Sequence, residues 1–181
     1  MVRVSRGGPA YTEQPFESYK VEVLVFGLAG GNCTAVSVRK ITLWRVEVDN
    51  APGALAGKLE PLAQLGADLQ VVMGCNMGPQ RAVIDLNPVV GRKVADAARN
   101  AGFSASPTPA VLVEGDNKPG LGYQIAKSIG GAGINLSFVM AQMIGRRYSA
   151  VFGFESAADA SKATGLIKKA ATAKAQQRKA A

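Results

Sequence analysis

Two patterns of apolar residues take turns along the chain. In Leu43-Trp44-Arg45-Val46-Glu47-Val48 one set of side chains, Trp44, Val46 and Val48, faces opposite to Leu43, Arg45 and Glu47. That period of two is the mark of a half-buried strand, predicted over Ile41 to Val48. Leu55, Leu59, Leu62 and Leu65 then recur at helical spacing, in a helix opened by Pro52 and kinked or broken in its last turn by Pro61. Leu69 to Met73 and Arg81 to Leu86 read as a hairpin around Gly78-Pro79. A helix follows from about Val89 to Asn100, with Val94, Ala97 and Ala98 inward and Gly102 ending it. Phe103 to Ala105 is a short fourth strand, and Ser106-Pro107-Thr108-Pro109 a linker. The order then repeats. Ala110 to Glu114 is a strand, and Pro119 to Gly130 a helix with Leu121, Ile125 and Ile129 inward. Asn135 to Gln142 and Arg147 to Phe154 form a hairpin turning at Gly145-Arg146, and Ala157 to Ala175 the last helix.

The repetition extends to residue identity. Asp49-Asn50-Ala51-Pro52-Gly53-Ala54-Leu55 returns 67 residues later as Asp116-Asn117-Lys118-Pro119-Gly120-Leu121. The same offset carries Gly66-Ala67-Asp68-Leu69 onto Gly133-Ile134-Asn135-Leu136, Val72-Met73 onto Val139-Met140, and Gly78 onto Gly145. An offset held over some thirty positions marks an internal duplication. The chemistry of the repeated loop is that of a strand running into a helix start. Asp or Asn caps the first turn, Pro suits the first helical position, and Gly permits close approach. A helix N-terminus offers N–H groups and partial positive charge to a carboxylate, while Asp49 and Asp116 suit an ammonium group. Together they suit a zwitterion such as a free amino acid; plain helix capping is the simpler alternative for either copy alone.

Strand, Asp-Asn-x-Pro-Gly, helix, Gly-x-Asn/Asp-Leu and hairpin together resemble the ACT domain, a small-molecule-sensing module of amino-acid metabolism. The resemblance covers roughly Val38 to Lys169. It implies an α+β fold of two ferredoxin-like βαββαβ modules in tandem, each an antiparallel sheet with helices on one face. The organisation expected is an N-terminal extension over 1–37 with a strand at 20–26, module one over 38–108, module two over 109–170, and a basic tail over 171–181. The resemblance further implies amino-acid binding where the loop of one module meets the elements of its neighbour. The ligand-binding residues expected are Asp49, Asn50, Pro52, Gly53, Ala54, Leu55 and Asp68 in the first copy. In the second they are Asp116, Asn117, Pro119, Gly120, Leu121 and Asn135. Asn117 with Asn135 looks like the serine-sensing version found on phosphoglycerate dehydrogenases and is the site favoured here. Asn50 with Asp68 departs from it, and Val48 and Gly115 stand where the family often has a histidine. Homodimers or higher homo-oligomers and a regulated protein partner are the associations implied.

The 181 residues carry a net charge of +8, which raises nucleic acid as a partner. The charge is uneven: residues 41–108 are neutral, whereas the stretch from Gly165 holds Lys168, Lys169, Lys174, Arg178 and Lys179 and no acid. A basic helix end is ordinarily solvated, so a nucleic-acid-associated regulator using this tail is the alternative, not the leading reading. The sequence has no histidine, which removes the usual general base and commonest metal ligand. Two cysteines are too few for a Cys₄ site and suit a reducing, cytoplasmic location. No cofactor, metal or membrane span is expected. An enzyme using Cys33 or Cys75 as nucleophile is a third reading, with no histidine to activate either thiol. Met73, Met77, Met140 and Met143 read as adaptable core fillers, and Gln142 and Tyr148 as polar groups near an interface or facing water. The Gly27 to Gly31 run after the first strand lacks a phosphate-loop spacing. Module two lacks a fourth strand of its own. The Lys20–Phe26 strand, or one from a partner subunit, is predicted to pair with its exposed edge.

Overall fold

Each of the two repeated runs closes an antiparallel sheet, because its strands are joined by a tight hairpin and by helices that return the chain alongside. The computed structural model describes residues 36–172 and the backbone of one earlier strand, 21–24. In chain order the elements are β1 (Val21–Leu24), β2 (Ser37–Ile41), β3 (Trp44–Asp49), α1 (Ala54–Ala63), β4 (Val71–Asn76), β5 (Arg81–Asn87) and α2 (Arg92–Asn100). They continue with β6 (Ser104–Ala105), β7 (Ala110–Asp116), α3 (Leu121–Gly131), β8 (Leu136–Ile144), β9 (Arg147–Phe154) and α4 (Ala157–Thr172). The first sheet runs β1-β4-β5-β3-β6 and the second β2-β7-β9-β8. This is an α+β fold of two ferredoxin-like modules with helices on one face of each sheet. Among the described residues, no helix is long and apolar enough to cross a membrane.

The alternation of side chains separates three cores. Val46, Val72, Ile84 and Leu86 point toward α1 and α2, where Leu62, Ala98 and Phe103 meet them. Val111, Val113, Ala150 and Phe152 point toward α3 and α4, against Ile125, Ile129 and Ile167. The opposite faces supply a third cluster, in which Leu43, Val71 and Met73 meet Ala110, Leu112 and Val151. The two sheets therefore share apolar surface, which relieves the marginal core of a module this small.

Two strand expectations are corrected. Ile41 to Val48 is not one strand: the chain leaves the second sheet after Ile41 and enters the first at Trp44. Leu43, fully buried in the shared cluster, anchors the crossover. Its carbonyl accepts from the Ser106 N–H at 2.7 Å, and that of Thr42 accepts from Asn87 Nδ2 at 2.9 Å. The apolar alternation continues through the crossover, so periodicity conceals it. The β7 edge of module two is taken not by residues 20–26 but by β2. Ser37–Ile41 pairs with β7, Ser37 opposite Glu114 and Ile41 opposite Ala110, while Val21–Leu24 pairs with the edge strand β4. Chain reach decides this, since only two residues separate β2 from β3.

Helix α1 ends two residues after Pro61, and α3, with Ser128 at the matching place, continues to Gly131. Leu65 lies beyond the end of α1 and is 45% exposed, so the apolar stripe stops at Leu62. Met73 is buried and Met140 packs on the shared cluster, whereas Met77 and Met143 are exposed and fill no core.

Candidate functional site

The two Asp-Asn-x-Pro-Gly loops adopt one conformation. Neither Asp nor Asn caps a helix, and neither Pro opens one. Gly53 and Gly120 are the N-caps, at φ 85° and 79°, with no side-chain cap, and the helices begin at Ala54 and Leu121. That left-handed backbone is why glycine stands there, since an L side chain would strain it. The proline precedes the cap and sits in a turn, closed by Ala54 N–H to Ala51 O (3.2 Å) in one copy and Leu121 N–H to Lys118 O (3.1 Å) in the other. The motif asparagine ties the loop to the hairpin tip: Asn50 N–H donates to Gln80 O at 3.0 Å, and Asn117 N–H to Arg146 O at 2.8 Å. A helix leaves its first N–H groups without internal partners, so those of Leu55 and Ala56 are available at the start of α1.

The first loop walls a cleft of about 570 Å³. Asp49, Asn50, Ala51, Pro52 and Gly53 form its rim, Ala54 and Leu55 of α1 one wall, and Val48, Gly74, Asn76, Ala82 and Ile84 of the sheet the other. Gly74 and Ala82 are the small residues of the sheet wall, across the cleft from Ala54 and Leu55 at the start of α1. Asp49 is the one charged residue of the lining among the described residues. A second, more open cleft on the other side of the loop is lined by Glu47, Asp49, Lys58 and Arg81. Its cations are engaged, Lys58 Nζ with Ala101 O at 2.6 Å and Arg81 with Glu47.

The expected site residues fall into two groups. Asp49, Asn50, Pro52, Gly53, Ala54 and Leu55 come together at the cleft. Asp116, Asn117, Pro119 and Gly120 form the matching loop, and Leu121 is buried in the core beneath α3. Asp68 and Asn135 are not brought to their own module's loop. Asn117 follows Asp116, which pairs with Arg147 at one end of β9, and Asn135 precedes Leu136, which pairs with Phe154 at the other. The length of that strand, about 25 Å at 3.3 Å per residue, separates them. Asn135 Nδ2 donates instead to Glu155 Oε1 at 2.9 Å.

Residues not expected from sequence also line the cleft: Gly74, Cys75, Asn76, Ala82, Val83 and Ile84, all from the hairpin. Strand periodicity gives which of them share a face, but not that a helix stops short above them. Tyr148 does not face water. It is buried in the core beneath α3, its hydroxyl without a partner among the described residues, and burial pushes the phenol well above its ordinary pKa. The Cys75 thiol is pushed up by burial and by the nearby Asp85 carboxylate. That keeps it protonated, the opposite of what a nucleophilic thiol requires. Cys33, the glycine run at 27–31 and the tail cations from Lys174 onward lie outside the described residues.

The sequence matches no protein-family model and no curated protein. Solved structures share its fold. A protein from Bacteroides thetaiotaomicron superposes with a TM-score of 0.58 at 15% identity, over 72% of this chain and 88% of that one. The ligand-free regulatory subunit of aspartate kinase from Thermus thermophilus gives 0.53 at 17% identity, over 76% and 97%. The aspartokinase alpha and beta subunits give 0.52 at 15%, over 77% and 99%. At these identities the likeness is one of fold, an ACT-like arrangement spanning most of this chain.

Proposed function

We propose that the chain is a non-catalytic small-molecule sensor that binds a free amino acid at its Asp-Asn-x-Pro-Gly loops and acts on a regulated partner or on its own assembly into homo-oligomers. The observation that carries this reading is the cleft walled by Asp49 to Leu55. The fold it sits on, shared with a regulatory subunit of aspartate kinase, supports it. In this reading the Asp49 carboxylate holds the ligand's ammonium group, and the N–H groups of Leu55 and Ala56 hold its carboxylate. Asn50, Pro52 and Gly53 shape the rim, and Ala54 and Leu55 the α1 wall. Asp116, Asn117, Pro119, Gly120 and Leu121 form the second loop, and Asp68 and Asn135 serve the loop of a neighbouring module.

The test is a thermal-denaturation screen against the common amino acids, repeated on Asp49→Ala. A ligand present at a hundred times its Kd, binding only the folded state, stabilises by about 2.7 kcal/mol. The expected result is a rise in midpoint for one chemical group of amino acids, lost in Asp49→Ala. No rise with any amino acid overturns the reading.

A further inference from the structure

We infer that only the first of the two repeated loops takes a ligand, that this ligand is an amino acid with an aliphatic side chain, and that Tyr148 is a built-in plug closing the second copy. The inference rests on the sensor reading and names which copy serves it and what it selects.

The strand registers carry the argument. Ala82 of β5 lies between Val48 of β3 and Asn76 of β4. The residues 67 positions on, Gly115 of β7 and Met143 of β8, have Tyr148 between them. One step along, Ile84 lies between Val46 and Gly74, and Ala150 between Val113 and Ala141. Ala82 and Tyr148 therefore occupy the same place in the two modules. Ala82 lines the open cleft, and Tyr148 is 6% exposed within the core beneath α3. The helix adds a second exchange of the same kind: Ala54 lines the cleft, whereas its counterpart Leu121 is buried with Tyr148. Where the first module has two alanines beside a cleft, the second has a phenol and a leucine packed in its core. The Tyr148 hydroxyl is held there without a hydrogen-bond partner among the described residues. That costs stability and is tolerated because the ring fills the volume.

The lining of the open copy sets the ligand class. Val48, Leu55 and Ile84 present aliphatic surface, Asn50 and Asn76 amides, and Asp49 the only charge among the described residues of the lining. Among the described residues no lining cation meets a phosphate or an acidic side chain, and Asp49 disfavours a second negative charge. The ligand that fits has an ammonium group at the rim and an uncharged aliphatic body under α1, as leucine, isoleucine or valine has.

The experiment is calorimetric titration of the full chain with leucine, isoleucine, valine, aspartate and lysine, on wild type and Ala82→Tyr. Chain integrity is checked by the variant's thermal midpoint. The expected result is one aliphatic amino acid per chain, with binding lost in Ala82→Tyr. Methyl NMR of the wild type checks the place without a substitution: Val48, Leu55 and Ile84 signals shift with ligand, and Leu121, Ile125 and Ala150 do not. Two ligands per chain, binding that survives in folded Ala82→Tyr, shifts centred on Leu121, or preference for aspartate or lysine overturns the inference and leaves the sensor reading standing. Binding of none of the five to wild type overturns the inference; if the wider amino-acid screen is also silent, the sensor reading falls with it.

Discussion

The Arg45 guanidinium grips the Asp85 carboxylate with two parallel hydrogen bonds, Nε to Oδ1 and Nη2 to Oδ2, both 2.9 Å. The Asp85 side chain is 7% exposed and that of Arg45 33%, so the pair joins β3 to β5 at the edge of burial. The planar fork matches both carboxylate oxygens, and the Arg45 pKa is raised chiefly by this bond. Arg45→Ala leaves a buried carboxylate with no partner and is expected to lower the unfolding free energy by about 2 kcal/mol. The double change Arg45→Met with Asp85→Leu should recover most of that loss, because it removes both charges. Urea denaturation of the three proteins checks this; a double variant no better than the single one rejects the account.

Tyr148 makes stability depend on alkaline pH. Its folded-state pKa is raised by burial, so the native phenol stays protonated where the unfolded one, with a pKa of about 10, ionises. The folded state then binds more protons than the unfolded state, and stability falls as pH rises past about 10. Tyr148→Phe lacks this term. It should be level with wild type or about 1 kcal/mol more stable at neutral pH, since the lost hydroxyl had no partner. Above pH 10 its decline should be the shallower, measured by denaturation of both proteins between pH 7 and 11.

Leu43 has no exposed surface and holds the crossover between the sheets. Leu43→Ala is expected to cost about 3 kcal/mol, from lost transfer energy plus the cavity left behind. The same substitution at exposed Leu65 should change stability by less than about 1 kcal/mol. Equal losses at the two positions would contradict the placement of the crossover.

Gly153 has the Phe138 ring packed where a Cβ would stand. Gly153→Ala must push that ring aside and should cost about 2 kcal/mol. In a Phe138→Ala background the same change should cost clearly less, a non-additivity that denaturant titration of the four proteins measures directly.

The Asp-Asn-x-Pro-Gly motif was legible as a loop leading into a helix, but the roles within it were not. Sequence assigns the cap to the polar side chains because they are good hydrogen-bond acceptors. The folded loop gives it to Gly53 and Gly120, because only glycine adopts the positive φ that turns the chain into the helix. The gathering of Asp49 to Leu55 at a cleft follows from their adjacency in sequence. The six hairpin residues across from them do not, since only the packing of α1 against the sheet brings β4 and β5 opposite the loop.

By itself the sequence determined the α+β class, the order of strands and helices from Trp44 to α4, the duplication and the loop it repeats. All of these rest on spacing along the chain: periods of 2 and 3.6, and an offset of 67. Tertiary structure decided which strand completes which sheet, because an edge strand's N–H and C=O groups accept any extended neighbour and only chain reach and burial choose among them. It also decided that Tyr148, not Ser149, matches Ala82. The offset shortens to 66 across the second hairpin, and a one-residue change of register turns every following side chain to the opposite face. That shift, visible only in the pairing of distant strands, sets Tyr148 in the second core at the place where Ala82 lines the cleft of the first module.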